Sequence, residues 1–369
     1  VRILYFTRDY TTHDYRFLTS LAGSGLEVVS LRLEKKDFRF EARLLPGNIR
    51  QVDWAGGRAP LTPGALPDLL PHFKRVIAEV RPHLVHAGPI PSSAYLTTLA
   101  GFHPLVSMSW GSDLLYEIDR DPAAAAAAKT ALDGTSVMVC DCQAVQRRAE
   151  TLGFPAERVV IFPWGVDLED FRPGGGNELR HKLGWDDDHF IILSTRSWEP
   201  VYGVDVTVKA FALAARRRPE IRLLLLGGGS QDKLIRGLIA ENNMEGRVHF
   251  AGQVGQAALP AYYRAADLYV SSSHSDGSSV SLMEALACGR AALVSDIAGN
   301  AEWVEDGITG WLFRDGDERG LAEKLEQISG QRNDLDAIGQ AARALAEARA
   351  DWNANFQKLL SAYQMAVNL

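Results

Sequence analysis

The stretch SSSHSDGSSVSLMEALACGRAALVSDI, residues 271–297, decides the reading of the whole chain. It continues the apolar run that starts at Asp267, and together these read as a buried parallel strand ending in small polar residues. DGSS is a loop in which Gly277 tolerates backbone angles that other residues resist. VSLMEALACG has helical periodicity, with Gly289 as its stop signal. A strand that feeds a small-residue loop and then a helix start makes an anion site. The first N–H groups of the helix have no partners and its dipole favours negative charge there. Asp276 precedes the turn and Glu284 lies inside the helix, eight positions on. The expectation is a pocket for a phosphate and a hydroxyl-rich group. The plainer alternative is that Asp276 only caps the helix and Glu284 faces solvent.

Working outward, the same strand-then-helix pattern repeats on both sides. HFIILSTR, IRLLLLGGG, RVHFAG, DLYVSSS, AALVSDI and GWLF read as strands between helices, including 203–217, one from Ser230 and QAALPAYYRAA. Before them, RILYF, LEVVSLRL, LVHAG, PLVSMSW and SVMVCD alternate with helices: RFLTSLAGSG, the amphipathic segment 67–81 and the alanine run 123–128. Strands alternating with helices mean parallel doubly wound sheets. The turn-rich segment 158–173 separates two such units. The organisation expected is α/β, with two Rossmann-like domains, 1–165 and 166–351, facing each other across a cleft, and a final helix of about 352–369. Lys35 to Arg50, rich in charge and containing Pro46-Gly47, is expected to be a surface segment with short strands.

Composition narrows the function. At 369 residues, 46% hydrophobic and 23% charged, the chain has the make-up of a soluble two-domain protein. A net charge of -7 argues against nucleic acid as a partner, since that needs a broad basic face. The nine histidines form no H-x-x-x-H pair, and the three cysteines no metal framework, so no metal site is expected. There is no Walker A sequence and no G-x-S-x-G elbow. The turn after the first strand lacks G-x-G-x-x-G, which disfavours a nicotinamide enzyme. No run approaches the roughly 20 apolar residues that span a bilayer, and sparse cysteine points to the cytoplasm.

Strand ends then nominate residues. Arg196 ends the first strand of the second unit, where an arginine suits a phosphate. A surface ion pair is its plainer alternative. Gly227 to Gly229 follow an apolar strand, which a tight turn explains as well as phosphate contact does. His86 and Trp110 end consecutive strands of the first unit. Asp113, just after, is placed to accept a hydrogen bond from a sugar hydroxyl. Arg8, His13, Asp14 and Arg16 decorate the first loop.

These segments resemble the retaining glycosyltransferases of family four, which carry the two-domain GT-B fold. The resemblance rests on VVIFPWGVDLEDFRP (159–173), STRSWEPVYGVD (194–205), LLLLGGGSQDKLIRGLIAENNMEGRVHFAGQV (223–254) and the stretch quoted first, which runs on through GNAEWVEDGITGWLF (299–313). It implies that Glu284 binds the ribose hydroxyls of a nucleotide-sugar donor. The backbone near Val254 meets the base, and Arg196 with Gly277, Ser278, Ser279 and Val280 holds the diphosphate. Asp276 touches the transferred sugar. The resemblance implies no metal and no cofactor, and a last helix that returns to the first domain. Four departures stand out: Asp276 where the family has Glu, Tyr202 where it has Lys, Trp110 where it has His, and TRDYTTHDY where it has a glycine pair after the first strand. Arg8 or Arg16 is the expected substitute for the missing cation.

The function expected is retaining transfer of a sugar from a nucleotide diphosphate donor to a glycan, lipid or small-molecule acceptor. UDP is favoured and GDP is left open. The alternatives are a catalytically silent nucleotide-sugar-binding protein and another enzyme on this fold, such as a nucleotide-sugar epimerase. The acceptor, the oligomeric state and a peripheral membrane contact, at the inner face of the membrane, are left open by the sequence.

Overall fold

In the computed structural model, residues 1–36, 41–61 and 64–368 are described. The chain divides into two units, Val1–Trp164 with Ala354–Leu369, and Gly165–Asn353.

Among the described residues, the first unit is built on seven strands: β1 Arg2–Thr7, β2 Glu27–Arg32, β3 Arg50–Gln51, β4 Leu84–Gly88, β5 Leu105–Met108, β6 Val137–Cys140 and β7 Val159–Ile161. Their spatial order is β3-β2-β1-β4-β5-β6-β7, and every pair is parallel. One face of β1, with Leu4 and Phe6, joins a core containing Val29, Leu31 and Phe73. The other face carries Tyr5, which packs edge-on against His86 of β4 at 4.8 Å. His86 in turn meets Tyr363 of the last helix, Trp352–Asn368, at 5.6 Å between rings. That contact explains why the C-terminal segment counts with this unit.

The helix expected to start near Arg16 begins four residues earlier, at Thr12. Thr11 and Asp14 form a reciprocal capping box that fixes this start. Of the expected surface segment 35–50, residues 37–40 lie outside the described residues. Its only described strand residue is Arg50, in the two-residue β3, and Glu41 and Ile49 are buried within it.

The second unit has six strands: β8 Phe190–Ser194, β9 Ile221–Leu226, β10 Val248–Gly252, β11 Leu268–Ser271, β12 Ala291–Ser295 and β13 Gly310–Phe313. They lie in the order β10-β9-β8-β11-β12-β13, again all parallel. Alternation along each strand sorts its side chains between two cores. Ile192, Leu223, Leu225, Val270 and Leu293 face one. Ile191, Leu193, Leu224, Tyr269 and Val294 face the other. Burial on both faces is why these strands read as unbroken apolar runs rather than as alternating ones. Each fully buried Leu, Ile or Val contributes about 1.5–3 kcal/mol relative to exposure.

In this order the chain reverses direction across the sheet between β8 and β11. Ligands of open α/β sheets bind at such a switch, outside the carboxyl ends of the strands. Arg196 follows β8, and the loop 272–279 follows β11. The topology alone therefore brings Arg196 and the Asp276 loop together.

Candidate functional site at the strand switch

Beyond β11 the chain runs through Ser272 to Ser279 and enters the helix Val280–Ala287, with Ser279 as N-cap. The Ser279 side chain does not cap this helix, so the first-turn donors are left to another acceptor. The loop is pinned from two sides. Trp303 Nε1 donates to Ser278 Oγ at 2.9 Å. Gly299 lies so close that a Cβ there would stand 2.3 Å from the Gly277 carbonyl. Only glycine permits that approach, and the loop is thereby held in one place.

Arg196 reaches into this loop. Its Nη1 donates to Ser279 Oγ at 2.8 Å and to Ser281 Oγ at 3.0 Å. Its Nη2 lies 2.7 Å from Asp276 Oδ2, with the two side chains 11% and 18% exposed. That contact is a charge pair outside hydrogen-bond geometry, whereas Asp276 Oδ1 accepts from the Gly277 N–H at 3.0 Å. Tyr202 lies under the guanidinium, its ring centroid 4.1 Å from Cζ. Burial is the largest single influence and works against the charge on Arg196, but Asp276 together with Tyr202, Tyr269 and Tyr263 raises the guanidinium pKa overall. Tyr202 therefore stands where the family resemblance calls for a second cation, and it acts as a face on which the first one rests.

The segment that delivers Tyr202 is fixed by Gly203. This residue has φ +57°, and a Cβ would meet the Ser272 carbonyl at 2.2 Å. The next helix, Val204–Arg217, starts at that contact.

Glu284, one turn into its helix, is 4% exposed. Its Oε2 accepts from Tyr263 Oη at 2.8 Å and its Oε1 from Gln256 Nε2 at 3.1 Å. Burial, then the Glu284 charge, pushes the Tyr263 hydroxyl pKa well above its ordinary value, so this hydroxyl stays a donor. The two acids thus do different work. Asp276 is paired to a cation, and Glu284 is a desolvated, oriented acceptor. The plainer reading of Glu284 as a solvent-facing residue is excluded by its burial. Val254 is half-buried and packs against the core that holds Tyr263 and Met283. Gln256, Tyr263, Ser281 and Trp303 were not singled out by the sequence, because no local spacing ties them to the loop.

The candidates of the first unit sort differently. Asp14 is buried, accepting from Thr11 N at 2.9 Å and from Tyr5 Oη at 3.0 Å. It is a helix-capping residue rather than a polar group displayed on the loop. Burial pushes its pKa up to about 6, against the pull of these bonds. Asp113 likewise differs from the expected sugar-facing residue. Its carboxylate accepts from Ser109 Oγ, Trp110 N, Leu114 N and Ile90 N at 2.6–3.1 Å. With that many donors around a buried group, it holds the Trp110 turn together and has no place for a sugar hydroxyl. Burial brings its pKa to about 6 as well.

His86 is buried, with Nδ1 bonded to Tyr363 Oη at 2.5 Å, and burial lowers its pKa to about 3. It is a neutral core histidine. Arg8 Nε donates to Glu34 at 2.7 Å, so its charge is already engaged. His13 and Arg16 lie half-buried on the helix Thr12–Ala22. The His13 ring stands 5.7 Å from that of Trp110, which is half-buried and also meets Trp164 at 6.1 Å. Among the described residues, no group of three His, Cys, Asp or Glu side chains is arranged to hold a metal ion, and no helix is long and apolar enough to cross a membrane.

Residues 176–345 match the family model for glycosyl transferases group 1, and residues 11–165 match that for a glycosyl transferase 4-like domain. A D-inositol 3-phosphate glycosyltransferase of Nocardia farcinica is 33% identical over 227 residues, covering 59% of this chain and 50% of that protein's length. The enzyme of the same name from Actinosynnema mirum is 28% identical over 390 residues, covering 94% of this chain and 90% of its own. Among solved structures, Anabaena HepE in complex with UDP-glucose superposes with a TM-score of 0.81 at 19% identity, over 98% of this chain and 99% of that one. The chain is a glycosyl transferase whose second unit is of the group 1 type, and it carries the GT-B fold.

Proposed function

We propose that the chain is a retaining glycosyltransferase that moves a sugar from a UDP-sugar to a hydroxyl group of a glycan, lipid or small-molecule acceptor. The observation that carries this reading is the convergence, at one strand switch, of Arg196, an uncapped helix start and the oriented carboxylate of Glu284. The first two suit a diphosphate, and a buried acceptor with two fixed donors suits the vicinal hydroxyls of a ribose. The base falls to uridine on the strength of the HepE complex with UDP-glucose. The relatives named D-inositol 3-phosphate glycosyltransferases support a polyhydroxylated acceptor.

In the reaction proposed, the acceptor oxygen bonds to the anomeric carbon as the bond to the β-phosphate oxygen breaks on the same face. The acceptor proton passes to the departing phosphate. Arg196 and the first N–H groups of the helix 280–287 meet the charge that develops there, a large term in a site shielded from water. Asp276 leaves Arg196 as the donor enters and turns to the sugar. The chain's own cation and dipole supply this neutralisation, and the mechanism calls for no cofactor. We place the activity in the cytoplasm, at the inner face of the membrane where the acceptor is a lipid.

One observation favours a second reading, a silent nucleotide-sugar-binding protein: Arg196 is already neutralised by Asp276, and Tyr202 brings no further cation. Turnover separates the two. With UDP-glucose and a panel of acceptors, proton NMR is expected to show a product with the α-anomeric coupling of the donor. A β-linked product overturns retention, and binding without turnover across the panel supports the silent reading.

A further inference from the structure

One short segment grips both oxygens of Glu284. In the turn after Gly255, the Ala258 N–H donates to the Gly255 carbonyl at 3.0 Å and the Leu259 N–H to that of Gln256 at 3.3 Å. These bonds fix the backbone of Gln256. The chain then enters the helix Leu259–Ala265, which carries Tyr263. Tyr263 bonds to Oε2 of the carboxylate and Gln256 to Oε1.

The two partners have different surroundings. Tyr263 is fully buried, and its hydroxyl lies 3.1 Å from both Thr195 Oγ1 and the Ser281 carbonyl. It closes Glu284 on the core side. Gln256 is only half-buried, and its neighbour Gly255 is exposed. A Cβ on Gly255 would meet nothing within 4 Å. The open side of Glu284 is therefore the side of Gln256.

The chemistry of the contact orients the amide. An ionised carboxylate only accepts, so the atom that Gln256 turns towards it is the amide nitrogen. The amide oxygen then lies on the other branch of the same planar group. Among the described residues no donor reaches this oxygen, and it is not among the buried atoms without partners, so it is open to solvent. Beside the carboxylate the site thus presents a second acceptor, held in place by the first. Two neighbouring hydroxyls bring two donors, and two acceptors on separate groups can take one each.

We infer that Gln256 is a specificity residue for the nucleotide. Its carbonyl accepts from one of the two ribose hydroxyls while Glu284 keeps the other, so that the protein rejects a deoxyribose. A site built to bond a hydroxyl disfavours the analogue that lacks it, because its own polar group is then left unpaired. The inference rests on the UDP-sugar reading above and adds to it a residue 28 positions before Glu284. Were Gln256 there only to orient Glu284, loss of its side chain would act on both hydroxyls alike.

The test is calorimetric titration of UDP, 2′-deoxy-UDP and 3′-deoxy-UDP into the full chain and into Gln256→Met, which keeps the length of the side chain and removes both polar atoms. The wild type is expected to bind each deoxy analogue about fivefold or more weakly than UDP, the worth of one hydrogen bond. In Gln256→Met one of these two ratios should fall to about one while the other persists, and Gln256→Ala should give the same pattern. A fall in both ratios would mean that Gln256 acts only through Glu284. Unchanged ratios, or a wild type that binds the deoxy analogues as well as UDP, would mean that it reads no hydroxyl. Each of these results overturns the inference and leaves UDP binding in place, whereas a wild type that does not bind UDP removes the donor reading itself.

Discussion

Replacing Asp276 by Asn separates charge from shape at the centre of the site. The side chain keeps its size and an oxygen for the Gly277 N–H, but Arg196 loses the carboxylate 2.7 Å away. At an effective dielectric of about 20, two unit charges roughly 4 Å apart interact by about 4 kcal/mol. Only part of this is recoverable, because the hydroxyls of Ser279 and Ser281 still bond to Arg196, and because an unpaired buried arginine destabilises the free protein. A diphosphate entering the wild type must displace or face the carboxylate, whereas in the variant it meets a bare cation. We expect UDP to bind Asp276→Asn more tightly by about 1–2 kcal/mol, a five- to thirtyfold lower Kd. Turnover falls in the same variant, since the residue proposed to reach the sugar has lost its charge. Titration calorimetry with UDP gives the first quantity and donor hydrolysis the second. A thermal melt should show the variant less stable without UDP and more strongly stabilised by it. Equal or weaker UDP binding in the variant would refute the idea that Asp276 holds the diphosphate position.

Other consequences can be read separately. Tyr263→Phe removes the 2.8 Å donor to Glu284. It should weaken UDP binding about tenfold, and an unchanged Kd would detach Glu284 from the donor. Gly203→Ala forces a side chain into a left-handed backbone with its Cβ 2.2 Å from the Ser272 carbonyl. It should cost about 2 kcal/mol or more, seen as a lowered Tm, and an unchanged Tm contradicts the tight crossing. His86 has a folded-state pKa depressed by burial to about 3, from an ordinary 6.5. The unfolded chain therefore takes up this proton first, and acid favours unfolding. Between those values the residue should remove about 1.4 kcal/mol of stability for each pH unit lowered. Asp14 and Asp113, with pKa values raised to about 6, act in the opposite sense, their stabilising effect being lost as pH rises from about 4 to 6. The His86 slope is accordingly read as the difference between wild type and His86→Gln in urea unfolding across pH, and identical profiles would contradict it.

The strands were legible because burial on both faces leaves unbroken apolar runs between helical periods. Their alternation with helices implies a parallel, doubly wound arrangement. Arg196 and the Asp276 to Glu284 stretch were legible for a related reason. Residues at the ends of the strands flanking a switch converge whatever the rest of the sheet does. That Asp276 pairs with Arg196 was not legible, since it depends on the path of a loop and the choice of rotamers. Nor were Tyr263 and Gln256, which lie 21 and 28 positions before Glu284 and meet it only through packing. Asp14 and Asp113 show the reverse error. An acid in a loop is as good a cap as it is a ligand, and the T-x-x-D spacing from Thr11 to Asp14 was the available sign of a capping box. The same box moves the start of the first helix from Arg16 to Thr12.

The central claim is that Glu284 and Arg196 form a site for a uridine diphosphate sugar. Calorimetric titration of UDP into the wild type and into Glu284→Ala tests it most directly. The account predicts one site in the wild type and a Kd at least about tenfold weaker in the variant, the loss expected for a hydrogen-bonded, charged partner. A wild type that does not bind UDP, or binding that Glu284→Ala leaves unchanged, would contradict it.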